Sequence, residues 1–430
     1  MKLCPLALAV SCFLFVPSVY ADVHIIDLGS PGSPARLSPS DATAISPDGK
    51  TIVGTWQASD TALPQQGWIA PNASNVYVAT DLGLPPATVR VAPTGINNDQ
   101  IMVGWLRNAP NNAVAFYARP PYFGSGMFAP VPITGLTGNS QAQAINASGV
   151  IVGHDSSGSR GASQSFVFTL NSSGDGTLRR IKGLQSSTAS EAHAVNGAGA
   201  IAGWAMNSAG ERQAFVAQSA DGAVSQPAIK LSGGEAVHWS EARAINARGD
   251  IAGCSAASAG TAGDCSGTIV NVNSGIEAFI VHNGMPISLG VPSGFAESFA
   301  LGISDHGLVA GTAHGSGGSS AFLWYFDAGQ LRTIDLTTLL PDDNSFISLT
   351  SATAITDIVI GITPTTETLR ATIVGQGLTP DSLAHAFRLN VDVVVAVPEP
   401  ATWVLLLAGL TLVGWAGSRR VHATASPAAV

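Results

Sequence analysis

Three sets of residues in this chain could do chemistry. The first is Cys254 and Cys265, eleven residues apart. In an oxidising compartment they read as a disulfide, worth about 3 kcal/mol at most by the chain-entropy argument; the alternative is two free thiols in an insert. No His or further Cys stands near either at metal-ligand spacing. The second set is the polar residues of recurring turns: Asn97, Asn146, Asn196, Asn246, Asp48 and Asp305. Calcium would need a denser set of carboxylates in each turn, so turn chemistry explains them. The third is a periodic aromatic row: Trp68, Phe116, Phe166, Phe215, Phe279, Phe322 and Phe387. Such a row could stack sugars, but one aromatic per repeat more often packs a core. His193, His238, His282, His306 and His314 share no metal-like spacing, and Asp342-Asp343 follows Pro341 and reads as a turn. There is no G-x-S-x-G elbow, H-E-x-x-H pair or phosphate loop. The residues therefore name no catalytic, cofactor-binding or metal-ligating group.

Composition narrows the elements that could position these residues. Only 11% of the chain is charged, while 48 residues are glycine. Low charge with many Gly, Ser, Thr and Asn suits β-structure rich in turns. The net charge of −9 leaves no basic patch to meet nucleic-acid phosphates. The longest basic clusters are Arg179-Arg180-Lys182 and Arg419-Arg420.

A repeat supplies the elements. One pattern recurs seven times, in copies such as "AQAINASGVIVG" ending at Gly153, "AHAVNGAGAIAG" at Gly203 and "ARAINARGDIAG" at Gly253. The anchors Ile45, Ile96, Ile145, Val195, Ile245, Ile303 and Ile355 lie about fifty residues apart, the one long interval holding the cysteine insert. The seventh copy is degenerate: "ATAITDIV", an insert, then "ATIVG". Each unit reads as a hairpin: a half-buried strand, a tight turn with Gly near its end, and a return strand. A third strand carries the aromatic, as in "QAFVA" at 213–217. A weaker fourth recurs six times, for example "RIKGL" at 180–184, "AIKLSG" at 228–233 and "RTIDL" at 332–336. The seventh fourth strand is missing, yet "HIIDLG" at 24–29 stands before the first hairpin. A ring closed by that strand pairs both sheet edges. The expectation is an all-β, seven-bladed β-propeller over 22–391, with an open β-solenoid as the runner-up.

The ends carry addresses. Met1-Lys2, an apolar run from Leu6 to Val16 and Val19-Tyr20-Ala21 read as a signal peptide over 1–21, cleaved after Ala21. A lipid-modified Cys12 is the alternative, with too short an apolar stretch before it. Residues 392–430 read as a linker and a sorting segment: Val397-Pro398-Glu399-Pro400, a single apolar membrane helix over 402–417, and the basic stop Arg419-Arg420. Sixteen apolar residues are short for a permanent span, which wants about twenty. The arginines would stay cytoplasmic and leave the body outside.

The repeat, A-x-A-I-N-x-x-G-x-I-V-G followed by H-A-F-x-W and D-L-G, resembles the HAF family of bacterial extracellular repeats over about 24–389. The tripeptide itself stands only at His385-Ala386-Phe387. That resemblance implies an exported repeat protein and transfers no catalytic residue. The C-terminus resembles the PEP-CTERM sorting signal. It implies transient residence in the inner membrane, cleavage at the motif by an exosortase, and a place beside exopolysaccharide and biofilm production in Gram-negative bacteria. The tail "VHATASPAAV" is longer than is usual after the arginines. The expected role is a non-enzymatic, secreted or cell-surface matrix protein binding exopolysaccharide or another surface protein. The alternative is a propeller hydrolase or lyase acting on extracellular glycan; carboxylates clustered at one mouth would favour it.

Overall fold

A computed structural model describes residues 23–396, apart from positions within 30–37, 58–64, 74–75, 109–111, 125–126, 157–161, 172–174, 182–188, 231–236 and 257–274 and residue 343. The expected signal peptide, the apolar helix over 402–417 and the sorting residues 397–400, 419 and 420 lie outside the described residues. Among the described residues no helix is long and apolar enough to cross a membrane.

Seven antiparallel sheets follow one another along the chain. Their innermost strands are Ser40–Ile45, Thr88–Ile96, Ser140–Ile145, Ser190–Val195, Trp239–Ile245, Glu297–Ile303 and Ser348–Ile362. Each inner strand touches the next, and the seventh touches the first. The fold is a seven-bladed β-propeller. The N-terminal strand Val23–Gly29 is the outer strand of the seventh blade and pairs with Ala384–Ala396, Asp27 opposite Phe387. His385 Nδ1 lies 3.2 Å from Asp27 Oδ2, and Ser40 Oγ donates to the Gly29 carbonyl, so polar side-chain contacts lock the seam.

The repeated residues explain the blade. The aromatic of each third strand stands directly across from the Gly of the second strand: Gly153 opposite Phe166, Gly203 opposite Phe215, Gly253 opposite Phe279. All seven aromatics are buried, which excludes a sugar-stacking row. The glycine is required by close approach. A Cβ at Gly253 would sit 1.9 Å from the Glu241 carbonyl oxygen, because the inner strand bulges between Ala242 and Ala244. The turn glycines do need positive φ, as at Gly199 (φ 86°).

Four sequence expectations need correction. The fourth strand of blade 3 is Gly176–Arg180 and not 180–184, because the chain turns back directly and sets Gly176 against Leu170. In blade 4 the strand is Val224–Ser225, ahead of the expected 228–233. The degenerate seventh copy is no broken hairpin. Its two strands, Ser348–Ile362 and Thr366–Leu378, run on through the supposed insert as one long hairpin. The third strand of that blade follows them to Ala396, five residues past the expected end at 391.

Candidate functional site: the central channel

The bulge in each inner strand turns the x of A-x-A-I toward the propeller axis. Thr43, Thr94, Gln143, His193, Arg243, Leu301 and Thr353 occupy that place. All but Leu301 are polar, and the seven line a cavity of about 370 Å³. The ring is asymmetric. Thr353, Thr43 and Thr94 are engaged in joining blades: they donate to the carbonyls of Ala42, Pro93 (2.7 Å) and Ala142 (2.8 Å) in the next blade. Across the channel, blades 3 to 5 present longer and ionisable side chains.

Glu241 organises that wall. It stands in the inner strand of blade 5, with 1% of its side chain exposed. Its Oε1 lies 3.2 Å from His193 Nε2 and 3.1 Å from Arg243 Nη1; its Oε2 accepts from Arg212 Nη1 at 3.0 Å. Burial works to raise this carboxyl. His193, Arg243 and Arg212 together outweigh it and hold the group down at about 2. Arg212 in turn lies over Trp204, 4.0 Å from the ring centroid. Glu191 sits at the edge of the cluster, 3.9 Å from His193 and 3.8 Å from His154. Burial lowers the His154 imidazole below its ordinary value, which favours its neutral form. Arg243 keeps donors in reserve: among the described residues only its Nη1 is bonded, to Glu241 and against His193 Nδ1 at 3.2 Å. Nε and Nη2 are left to meet a ligand.

This arrangement can bind; it is poorly suited to proton transfer. A carboxylate held at about 2 by two guanidinium groups and an imidazole neither donates nor accepts a proton near neutrality. Among the described residues the one carboxyl pushed upward is Asp41, on the opposite side of the ring in blade 1. Burial raises it to about 7, against a hydrogen bond from Ala42, and its Oδ1 has no partner among the described residues. Among the described residues no group of His, Cys, Asp and Glu is arranged to hold a metal ion.

The residues singled out in the sequence fall elsewhere, except His193. His282 pairs with Asp250, His306 with Asp357 and His238 with Glu211, each at a separate place. Cys254 and Cys265 are bonded as a disulfide, with Cα atoms 5.7 Å apart. Cys254 is directly opposite Glu241, and Cys265 Sγ also reaches the Glu241 carbonyl, so the bridge backs the charged wall. The turn asparagines do more than shape turns. Asn97, Asn146, Asn196 and Asn246 each donate from Nδ2 to the backbone carbonyl at the same turn position of the next blade, at 2.9–3.1 Å. Sequence reasoning missed a serine two places before A-x-A. Ser140, Ser190, Ser240 and Ser298 each accept at Oγ from a third-strand amide of the preceding blade. Its signal was its recurrence at one offset.

Comparison with curated proteins finds no match. Among solved structures, the chain is similar to a subtype N11 neuraminidase-like protein of A/flat-faced bat/Peru/033/2010 (H18N11). The TM-score is 0.38 and the identity 9%, over 87% of this chain and 95% of that one. At the C-terminus, residues 396–420 match the PEP-CTERM protein-sorting motif. This signal marks the chain for export and for sorting to the cell surface from a membrane-anchored precursor, and implies processing by an exosortase.

Proposed function

We propose that the exported chain is a non-enzymatic cell-surface or biofilm-matrix protein, and that its propeller binds extracellular polysaccharide through the blade 3–5 wall of the channel. Arg243 carries this reading. It is a cation with unused donors beside a cavity of about 370 Å³, room for one sugar unit or a chain end. A guanidinium with Nε and Nη2 unused suits a carboxylate-bearing sugar, which it can hold by paired hydrogen bonds. Gln143 lines the same cavity and can accept from or donate to hydroxyls. The low Glu241 carboxyl supports a binding role over general acid catalysis. We also propose that the repeat is of the HAF extracellular type, a reading that rests on its residues.

The test is calorimetry of residues 22–396 with the producer's own exopolysaccharide, with product analysis of the same mixture. Saturable heat without chain shortening, weakened at least tenfold (about 1.4 kcal/mol) by Arg243→Gln, is the expected result. Shortened polysaccharide would establish the hydrolase or lyase instead. Heat unaffected by Arg243→Gln would move the site out of the channel.

A further inference from the structure

Among the described residues, four of the ten exposed large apolar side chains fall in one short stretch. Ile358 (57% exposed), Val359 (38%), Ile360 (42%) and Ile362 (75%) follow one another in the extended hairpin of the seventh blade. From Ile358 to Thr366 the sequence "IVIGITPTT" carries no charge. The neighbouring charges stand back from this stretch. Arg370 is paired with Asp392 at 2.7 and 2.8 Å, and Asp357 is held by Ser304 and His306 of the adjacent turn. Glu367 stands opposite Ile362, and Asp327, which is paired with Arg332 at 3.6 Å, accepts from the Ala396 amide beside the tip. The hairpin leaves the ring on the face of the asparagine turns. Thr356 still bonds to the Pro47 carbonyl in the first of those turns, and the exposed residues lie beyond it. The inner strand has no partner on its outer edge there, whereas the strand behind it, Thr366–Leu378, is paired on both sides.

The chain's own path says what meets this patch. Thr366 at the hairpin tip pairs with Ala396, the last of the described residues. Ala396 is further pinned by its amide, which donates to Asp327 of blade 6 at 3.1 Å. Five residues, 397–401, separate it from the apolar sequence 402–417. Fully extended they reach about 18 Å. The headgroup layer on each side of a bilayer is itself about 5–7 Å thick. While the precursor is anchored, the hairpin tip is therefore held against the membrane surface.

We propose that this extension is a membrane-facing foot. In the anchored precursor Ile358, Val359, Ile360 and Ile362 enter the interfacial zone of the lipid bilayer that holds 402–417. The partner is the boundary between headgroups and acyl chains, which accepts uncharged apolar side chains and leaves Glu367 among the headgroups. The foot sets the ring with its asparagine-turn face to the membrane and the opposite channel mouth outward. It also holds residues 397–400 close to the bilayer, where a membrane enzyme can reach them.

The test uses the full chain with Cys4→Ser and Cys12→Ser, carrying one environment-sensitive fluorophore at Ile360→Cys or at Ile347→Cys. Ile347 is the control: it is 56% exposed just before the opposite end of the same strand. Each protein is reconstituted in vesicles of phosphatidylethanolamine and phosphatidylglycerol, with and without nitroxide-labelled lipid. The expected result is nitroxide quenching at position 360 and none at 347, with iodide quenching severalfold weaker at 360. Equal iodide quenching at both positions would overturn the proposal. So would shielding at 360 without nitroxide quenching that grows with protein density, because a second copy of the chain would then cover the patch.

Discussion

Replacing Asn196 tests whether the blades are fastened at their turns. Asn196 is 6% exposed. Its Oδ1 accepts from the amides of Ala198 (3.1 Å) and Ala200 (2.9 Å), and its Nδ2 donates to the Asn246 carbonyl at 2.9 Å. Asn196→Ala removes all three bonds: it leaves the Ala200 amide unpaired and takes from the Asn246 carbonyl one of its two donors, the Gly249 amide staying at 3.0 Å. At about 1 kcal/mol per bond, more where a buried group loses its partner, the loss is about 3–5 kcal/mol. Asn196→Asp separates the turn from the seam. It keeps the two accepted bonds but sets a carboxylate oxygen against the Asn246 carbonyl, at a cost of about 1–3 kcal/mol near neutrality. Below the ordinary aspartate value the acid regains a proton it can donate to that carbonyl. A carboxyl raised in the folded state gives stability present at low pH and lost as pH rises through its folded value. The aspartate variant should therefore approach the parent at pH 3–4 and fall away from it by pH 7. Urea unfolding followed by circular dichroism at both pH values measures this. An Asn196→Ala variant within about 0.5 kcal/mol of the parent, or a pH-independent aspartate variant, would refute the inter-blade role.

The remaining predictions probe the channel, the bridge and the last strand. Glu241→Gln leaves Arg212, Arg243 and His193 without their carboxylate and should cost about 3 kcal/mol at pH 7 by chemical denaturation. Because the Glu241 carboxyl is depressed from 4.5 to about 2, its contribution is present above 4.5 and lost as pH falls toward 2. Parent and variant should converge across that window. Asp41 has the opposite sign. Raised from 3.8 to about 7, it weakens the fold progressively between those values, so Asp41→Asn should stabilise at pH 8 by about 2 kcal/mol, discounted for partial solvent access, and not at pH 3. The double change Cys254→Ser with Cys265→Ser should lower stability by up to about 3 kcal/mol, read as a fall in the urea midpoint. Truncation after Ala396 should leave the melting temperature of the body unchanged. Truncation after Val391 should lower it, because Val393 is fully buried against blade 6.

The ring was legible because its repeat is written in residue types that local physics constrains. A small residue, an apolar anchor, an Asx turn and a glycine recur in register, and the orphan "HIIDLG" demanded a partner that only closure supplies. The fourth strands were poorly legible because an outer edge strand needs little burial: Val224–Ser225 is two residues long and half-exposed. The long seventh hairpin was hidden because its apolar residues are exposed, so they follow no burial period. The channel site was hidden for a sharper reason. In a regular strand the x of A-x-A-I alternates away from its small neighbours; the bulge between Ala192 and Ala194 breaks that alternation and gives His193 to the axis. Thr, Gln, His, Arg and Leu at this position looked like surface variation. Nor could spacing bring Glu241 to His193, since the inner strand of the next blade places it there.

Both ends of the exported body meet in one sheet. Val23, which follows the expected signal cleavage by two residues, pairs with Val391, and Ala396 ends the same strand where the sorting motif begins. The seventh blade cannot form until its first strand and its last are both on the same side of the membrane. Closure of the ring therefore waits for export of the whole body, and the sheet edges that would otherwise invite aggregation stay unpaired until then. A cut within 397–400 leaves every pair of the described sheet in place, because Ala396 precedes it. Closure and cleavage are thus separable steps: the strand that seals the fold is retained, and the segment that holds it to the membrane can be lost without opening the ring.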